Sequence, residues 1–123
     1  MKATELQIGD LVKIKGHLDY DKVQEIARDE NMQWYISYAC SATLFRAYEF
    51  EPIPLTPEIL EKNGWWFDTE DTWRHDEVNF TIEKWNGRYQ CYDINQIKLD
   101  SVHQLQHALR LCGLDELADN FKV

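Results

Sequence analysis

Two prolines that stand close together, Pro52 and Pro54, limit most strongly how this chain folds. Proline fixes its own φ angle, lacks a backbone N–H and holds the preceding residue in an extended conformation. The sequence therefore predicts a boundary here, with a β-rich N-terminal subdomain at 1–52 and an α+β C-terminal subdomain at 53–123. Because 123 residues allow one domain or two very small ones, we expect the two subdomains to form one shared compact unit.

Short strands are predicted throughout the first subdomain. Residues 11–15 alternate between apolar and basic side chains after Leu11, a pattern typical of a half-buried strand. Further strand candidates lie at 22–26, 33–38 and 44–50. Several short strands with turns between them favour a small barrel or a strongly bent sheet. The opening Gly-Asp-x-Val-x-Ile at 9–14 also resembles the first strand of SH3-like barrels.

The second subdomain begins with a short helix. Thr56 suits its N-cap, Pro57 suits its first helical position, and Asn63-Gly64 is typical of a helix end. An antiparallel sheet and two or three helices are expected in this subdomain, so the fold class is α+β. Its strands are predicted at 72–75, 78–82, 88–93 and 96–99.

Two further signals fix the connections of this subdomain. Asn86-Gly87 is typical of a type I′ hairpin turn, because that turn needs a positive φ at both central residues. Ser101-x-x-Gln104 predicts a capping box at the start of a helix. A last short helix is predicted at 115–121. The apolar residues of the capped helix recur at helical spacing and are expected to face the core: Val102, Leu105, Leu109 and Cys112.

The net charge of −9, from 13 basic and 22 acidic side chains, argues against direct nucleic-acid binding. No stretch approaches the ~18 consecutive apolar residues of a membrane span, and no secretory leader is recognisable. We therefore expect a cytoplasmic protein without membrane contact. Three widely spaced cysteines are expected to be thiols, each buried as a small apolar side chain: Cys40, Cys91 and Cys112.

His103 and His107 are the most suggestive chemical pair in the chain. On a helix they lie one turn apart on one face, as two metal ligands would. No third ligand is identifiable, and the intervening residues include no catalytic glutamate of the kind found in zinc proteases. A solvated helix surface is the favoured interpretation of both histidines, so we expect no metal and no cofactor.

Catalytic constellations of other kinds are equally hard to find. The pairs of acidic residues fall in predicted turns or near helix caps, where carboxylates are ordinarily solvated. No GxSxG nucleophile elbow occurs, and the five glycines are spread singly along the chain. We therefore assign no catalytic residue and do not expect an enzyme.

Aromatic residues are dense between residues 65 and 92. If Trp65 and Trp66 lie in a strand, their side chains point to opposite faces, so one of them is expected to be exposed or to cover a subdomain junction. Trp and Tyr are enriched at interface hot spots, although both also fill the cores of small domains. The candidate partner-binding residues are Trp65, Trp66, Trp73 and Tyr92.

Three short blocks of sequence resemble a group of uncharacterised small bacterial proteins that are often encoded by prophages and other mobile elements. The blocks lie at 3–10, at 51–64 (EPIPLTPEILEKNG) and at 102–106 (VHQLQ), and together they cover about a quarter of the chain. The resemblance implies no activity. It implies architectural roles for Thr56 and Gly64, and also for Pro57.

This chain differs from the pattern of that group at three positions. Ser101, His107 and Cys112 stand where the group has Tyr, Asn and Thr. Because the second histidine of the pair lies outside the pattern, the departure weakens the metal hypothesis.

The sequence is compatible with three functional hypotheses. The leading one is a non-enzymatic protein-interaction module of a phage or mobile element, which binds a protein partner or a second copy of itself. An alternative is an acidic DNA mimic that occupies a nucleic-acid-binding protein, which would need surface carboxylates spaced like phosphates. A second alternative is a small metal-dependent enzyme that uses His103 and His107.

Overall fold

The computed structural model describes residues 1–91 and 97–123. These residues form two compact units, Met1–Ile53 and Pro54–Val123, so the division falls between the two prolines of the Pro52–Pro54 segment. Each unit contains one antiparallel sheet, and the three α-helices of the described chain belong to the second unit. The fold class is therefore α+β, as predicted.

The first unit is built on five strands that lie in the order β4-β3-β2-β1-β5. Short 3₁₀ helices at Ala3–Glu5 and Ala47–Glu49 precede β1 and β5. β4 and β5 lie at the two edges, and no pairing between these described strands closes the sheet into a barrel. The predicted β-rich unit is thus a five-stranded antiparallel sheet. Its strands are β1 Leu11–Ile14, β2 Asp21–Arg28, β3 Trp34–Tyr38, β4 Leu44–Phe45 and β5 Phe50–Glu51.

Apolar side chains from these strands, together with Leu6, form the core of the first unit. The Tyr38 hydroxyl, within this core, donates to the carbonyl of Val12 over 3.1 Å. Burial raises the pKa of Tyr38, and the nearby Asp21 carboxylate adds to that shift. The buried members of the core are Leu6, Val12, Val23, Ile36, Tyr38 and Phe50.

The second unit has four strands in the order β6-β7-β8-β9, each antiparallel to the next. Its first helix begins as predicted, because Thr56 Oγ1 accepts the N–H of Ile59 over 3.3 Å and Pro57 takes the first helical position. Its elements are α1 Pro57–Lys62, β6 Trp65–Phe67, β7 Thr72–His75, β8 Ile82–Trp85, β9 Arg88–Cys91, α2 Val102–Leu111 and α3 Asp115–Asp119.

The second sheet departs from the sequence prediction in two places. β8 begins at Ile82, where the predicted strand ended, and the short strand β6 was not predicted. The hairpin turn is confirmed, because Asn86 and Gly87 have φ angles of 51° and 77°. Within the described residues the predicted strand at 96–99 is reduced to a bridge between Lys98 and Gln90. Residue 96 and the end of the predicted strand at 88–93 lie outside the described residues.

Helix α2 buries Val102, Leu105 and Leu109, as its spacing predicts. Gln104 supplies its half of the predicted capping box, since Gln104 Oε1 accepts the backbone N–H of Ser101 over 3.2 Å.

The expectation that all three cysteines are buried is wrong for two of them. Cys91 is buried in the second sheet, whereas Cys40 and Cys112 are exposed. Cys40 lies after β3 at a φ of 55°, in a turn, and Cys112 follows the last residue of α2. Both residues therefore lie just beyond the end of a strand or helix, where no neighbouring element of the described chain covers their side chains. Cys112 is not one of the core-facing residues of α2.

Candidate interaction surface

The strand register of the second sheet sorts its tryptophans onto two faces. Trp65 pairs with His75, and Phe67 with Trp73, so these four residues share one face of the sheet. Trp66 pairs with Arg74 and lies on the opposite face. Trp65 and Trp73 are 1% and 6% exposed, whereas Trp66 is 41% exposed.

Two of the predicted partner-binding residues are therefore core residues. Trp65 donates its indole N–H to the carbonyl of Phe80 over 3.1 Å, and its ring lies 4.9 Å from the ring of His75, centroid to centroid. The Phe121 ring lies 6.4 Å away. Burial on the inner face removes Trp65 and Trp73 from the surface that a partner could reach, and Tyr92 lies outside the described residues. Trp66 alone of these candidates is described as exposed.

Trp66 is held by its indole N–H, which donates to Asp76 Oδ1 over 2.9 Å. Arg74, directly opposite on β7, does not engage the carboxylate of Asp76. Its Nε instead donates to Asp68 Oδ2 over 2.6 Å. The Trp66 ring is thus fixed in orientation and partly exposed, with a carboxylate at its edge.

Asp76 was not among the partner-binding residues predicted from the sequence. The signal that could have identified it is the hairpin register. With Trp66 opposite Arg74, the residue two places after Arg74 lies on the same face and diagonal to Trp66. This register could not be predicted from the sequence, because strand β6 itself was not predicted.

A groove of about 470 Å³ adjoins Asp76. It is lined by the end of α1, the end of β7 and the C-terminal segment, and it contains acidic, basic and apolar side chains. A second depression of about 420 Å³ continues from it towards Gly113 and shares four lining residues with it: His75, Glu77, Leu117 and Asn120. Both volumes lie within the range of sites that hold a side chain or a small ligand. The charged lining residues of the first groove are Lys62, Asp76, Glu77 and Lys122.

His75 forms part of the groove wall, and both of its ring nitrogens are engaged. Nδ1 accepts the backbone N–H of Glu77 over 3.1 Å, and Nε2 lies 2.9 Å from the carbonyl oxygen of Asn63. Because an N–H only donates and a carbonyl only accepts, these two hydrogen bonds correspond to the tautomer with the proton on Nε2. Neither nitrogen is left for proton transfer or for a metal, so His75 shapes the groove.

Asn63 joins the end of α1 to the C-terminal segment. Its side-chain amide donates to the carbonyls of Ile59 and Lys122 over 2.8 and 2.7 Å, and Asn63 Oδ1 accepts the N–H of Lys122 over 2.8 Å. The next residue, Gly64, has a φ of +94°, and a Cβ there would overlap the His75 ring. The groove wall therefore depends on an asparagine and a glycine in succession.

The histidine pair of α2 is not a solvated surface. His103 is 6% exposed, and its Nδ1 lies 3.0 Å from the hydroxyl oxygen of Ser101. The His103 and His107 rings are 5.5 Å apart, centroid to centroid. The expectation of solvation is wrong for His103, because its ring turns back to the N-cap residue instead of to water. Across 1–91 and 97–123, no three His, Cys, Asp or Glu side chains are grouped so as to hold a metal ion.

No helix of the described ranges has the length and apolar character needed to cross a bilayer. In comparisons with known proteins, no family model, no curated protein and no solved structure matches this chain.

Proposed function

We propose that this chain is a non-enzymatic interaction module of a phage or mobile element, which binds a protein partner through Trp66 and the adjoining groove. One observation carries the proposal: Trp66 is exposed, yet its indole is fixed by a hydrogen bond to Asp76, a residue that also lines the groove. A side chain that is already fixed loses little conformational entropy on binding, and tryptophan is among the most frequent interface hot spots.

The hydrogen bonds of His75 and Asn63 favour a structural role in the groove wall over general-base catalysis by these two residues. The nitrogens of His75 are both hydrogen-bonded, and all three bonds made by the Asn63 side chain are to backbone groups. A general base needs a nitrogen or an oxygen within reach of substrate. These residues instead hold the shape of the surface.

The alternative of an acidic DNA mimic receives less support from the same region. Asp68 is bonded to Arg74, and Asp76 is bonded to Trp66. A mimic of a phosphate backbone needs a row of carboxylates that a basic protein can reach. Carboxylates already engaged within the chain serve that purpose poorly.

We place the interaction in the cytoplasm. None of the three cysteines forms a disulfide within the described residues, and two of them are exposed. Exposed thiols persist in a reducing compartment, whereas oxidising compartments favour disulfides.

The test compares Trp66→Ala with a matched variant, Trp85→Ala. Trp85 is 66% exposed and lies on the same outer face of the sheet, and no described residue hydrogen-bonds to its indole. In quantitative affinity capture from host-cell extract, we expect a protein that wild type and Trp85→Ala retain and Trp66→Ala loses. Sedimentation at micromolar concentration covers the case in which that partner is a second copy of the chain.

Circular dichroism first establishes that both variants are folded. Equal losses in the two variants, or no loss in either, would contradict the proposal. A partner identified by this difference is then purified and its binding to the three proteins measured directly.

A further inference from the structure

We infer that the surface at Trp66 recognises a cationic side chain, arginine in particular, in an exposed segment of the protein partner. The inference rests on the proposed function and specifies the chemistry of its partner.

Trp66 and Asp76 together have the groups that bind a guanidinium. The face of an indole ring attracts a cation through its negative quadrupole, and a carboxylate beside the ring supplies charge-assisted hydrogen bonds. Asp76 uses Oδ1 to accept the indole N–H, and no hydrogen bond from the described residues occupies Oδ2. A guanidinium that stacks on Trp66 can therefore donate to Oδ2.

The first unit contains an arginine stacked on a tryptophan of the neighbouring strand. Arg28 lies opposite Trp34 in neighbouring strands, and its guanidinium carbon is 4.5 Å from the centroid of the Trp34 ring. Arg74 lies opposite Trp66 in the same way, but it is turned to Asp68. No cation of the described chain stacks on Trp66, so that ring is open to a cation from outside.

The segment that contains Asp76 is predominantly acidic, and two basic residues, Lys62 and Lys122, line the groove beside Asp76. Between residues 68 and 77 the chain contains five acidic side chains and one basic side chain, Arg74. A field of this sign attracts cations and repels the phosphates of nucleic acid. The acidic residues of this segment are Asp68, Glu70, Asp71, Asp76 and Glu77.

The probe is an acetylated and amidated Gly-Arg-Gly-Arg-Gly peptide, titrated into the ¹⁵N-labelled full chain. We expect a saturable shift of the Trp66 indole N–H resonance, while the Trp85 indole resonance serves as the internal reference. Peptides with Lys or Glu in place of Arg should bind more weakly or not at all. Added salt should lower the affinity of the arginine peptide, because it screens the attraction between the charges.

Asp76→Asn is the decisive variant, because its side-chain oxygen still accepts the Trp66 indole N–H while the negative charge is removed. We expect this variant to bind the arginine peptide and the captured partner with about tenfold lower affinity than wild type. A matched change at an acid remote from the ring, Asp71→Asn, should have a much smaller effect.

Two results would overturn the inference. One is a partner whose capture depends on Trp66 but is unchanged in Asp76→Asn, together with an arginine peptide that leaves the Trp66 resonance unmoved. In that case the proposed function stands and only the cationic chemistry fails. The other is saturable binding of single-stranded oligothymidylate at Trp66, which would replace a basic protein segment with a nucleic acid. Failure of the proposed function itself would be seen in the capture experiment, as equal capture by the Trp66→Ala and Trp85→Ala variants.

Discussion

Asp29 illustrates how single residues in this chain depend on their immediate contacts. Its Oδ2 accepts a hydrogen bond from Arg46 over 2.9 Å, and its Oδ1 accepts the backbone N–H groups of Asn31 and Gln33. The bond from Arg46 and then the bond from Gln33 hold the pKa of Asp29 below its ordinary value of 3.8.

We expect Arg46→Gln to raise the pKa of Asp29 towards 3.8. A depressed pKa in the folded state means that the ionised carboxylate stabilises the fold above its unfolded pKa, and that this contribution is lost as the pH falls through the folded value. The variant should therefore lose less stability than wild type on acidification below 3.8. Carboxyl ¹³C titration and urea unfolding across this range measure both effects. An unchanged Asp29 midpoint in the variant would contradict the assignment of the shift to Arg46.

For single residues, the sequence predicts those whose effect is on the nearby backbone, such as helix caps and turns. Thr56 caps α1 and the Asn86-Gly87 pair turns the hairpin, because each signal lies within a few residues of its effect. The bond between Trp66 and Asp76 was not predicted, since it joins different strands and depends on their register.

Gly64, in the connection between α1 and β6, is constrained both by its own backbone conformation and by its contact with a neighbouring side chain. Gly64 ends the helix at a φ of +94° and brings the strand against His75, where a side chain would overlap the ring. The left-handed conformation alone disfavours any residue with a Cβ by about 1–2 kcal/mol.

We expect Gly64→Ala to cost roughly 1–3 kcal/mol more in unfolding free energy than Gly87→Ala, because forced overlap in a packed site costs about that much. Gly87 has a φ of +77° and open space where a Cβ would stand, so it isolates the backbone contribution. Urea unfolding of both variants gives the comparison. Equal losses would mean that His75 moves aside freely and that sterics at this connection are unimportant.

The elements themselves were predicted where periodicity or capping is strong, as for α1, α2 and β1. β6 was missed because Trp65-Trp66-Phe67 is aromatic at every position, so it contains no alternation that separates a buried face from an exposed one. Phe80 belonged to a predicted strand by its pattern, but it lies ahead of β8 and accepts the indole N–H of Trp65. Tertiary contacts therefore determine where the strands of this sheet begin and end.

The whole molecule divides into two units, and the order β4-β3-β2-β1-β5 in the first shows what local patterns leave out. β5 follows the other four strands of this unit in the sequence but pairs with the first of them, β1. No turn signal specifies such a pairing, because it joins distant parts of the chain. The fold class was accessible from the sequence, whereas the pairing of β5 with β1 was not.

Thiol accessibility follows from this organisation. We expect Ellman's reagent to modify Cys40 and Cys112 in the native protein, and Cys91 only when the sheet of the second unit opens. The reaction of Cys91 in a Cys40→Ser, Cys112→Ser variant then reports the opening rate. Rapid modification of all three thiols in folded protein would contradict the placement of Cys91.

The contact of Gly64 with His75 also restricts the order in which this sequence can change over evolutionary time. Asparagine is the substitute that best tolerates a left-handed backbone, but its Cβ would meet the imidazole. A smaller residue at position 75 must come first, and that change removes the hydrogen bonds to Asn63 and Glu77. The two positions are therefore epistatic, and lineages that keep the histidine are expected to keep the glycine.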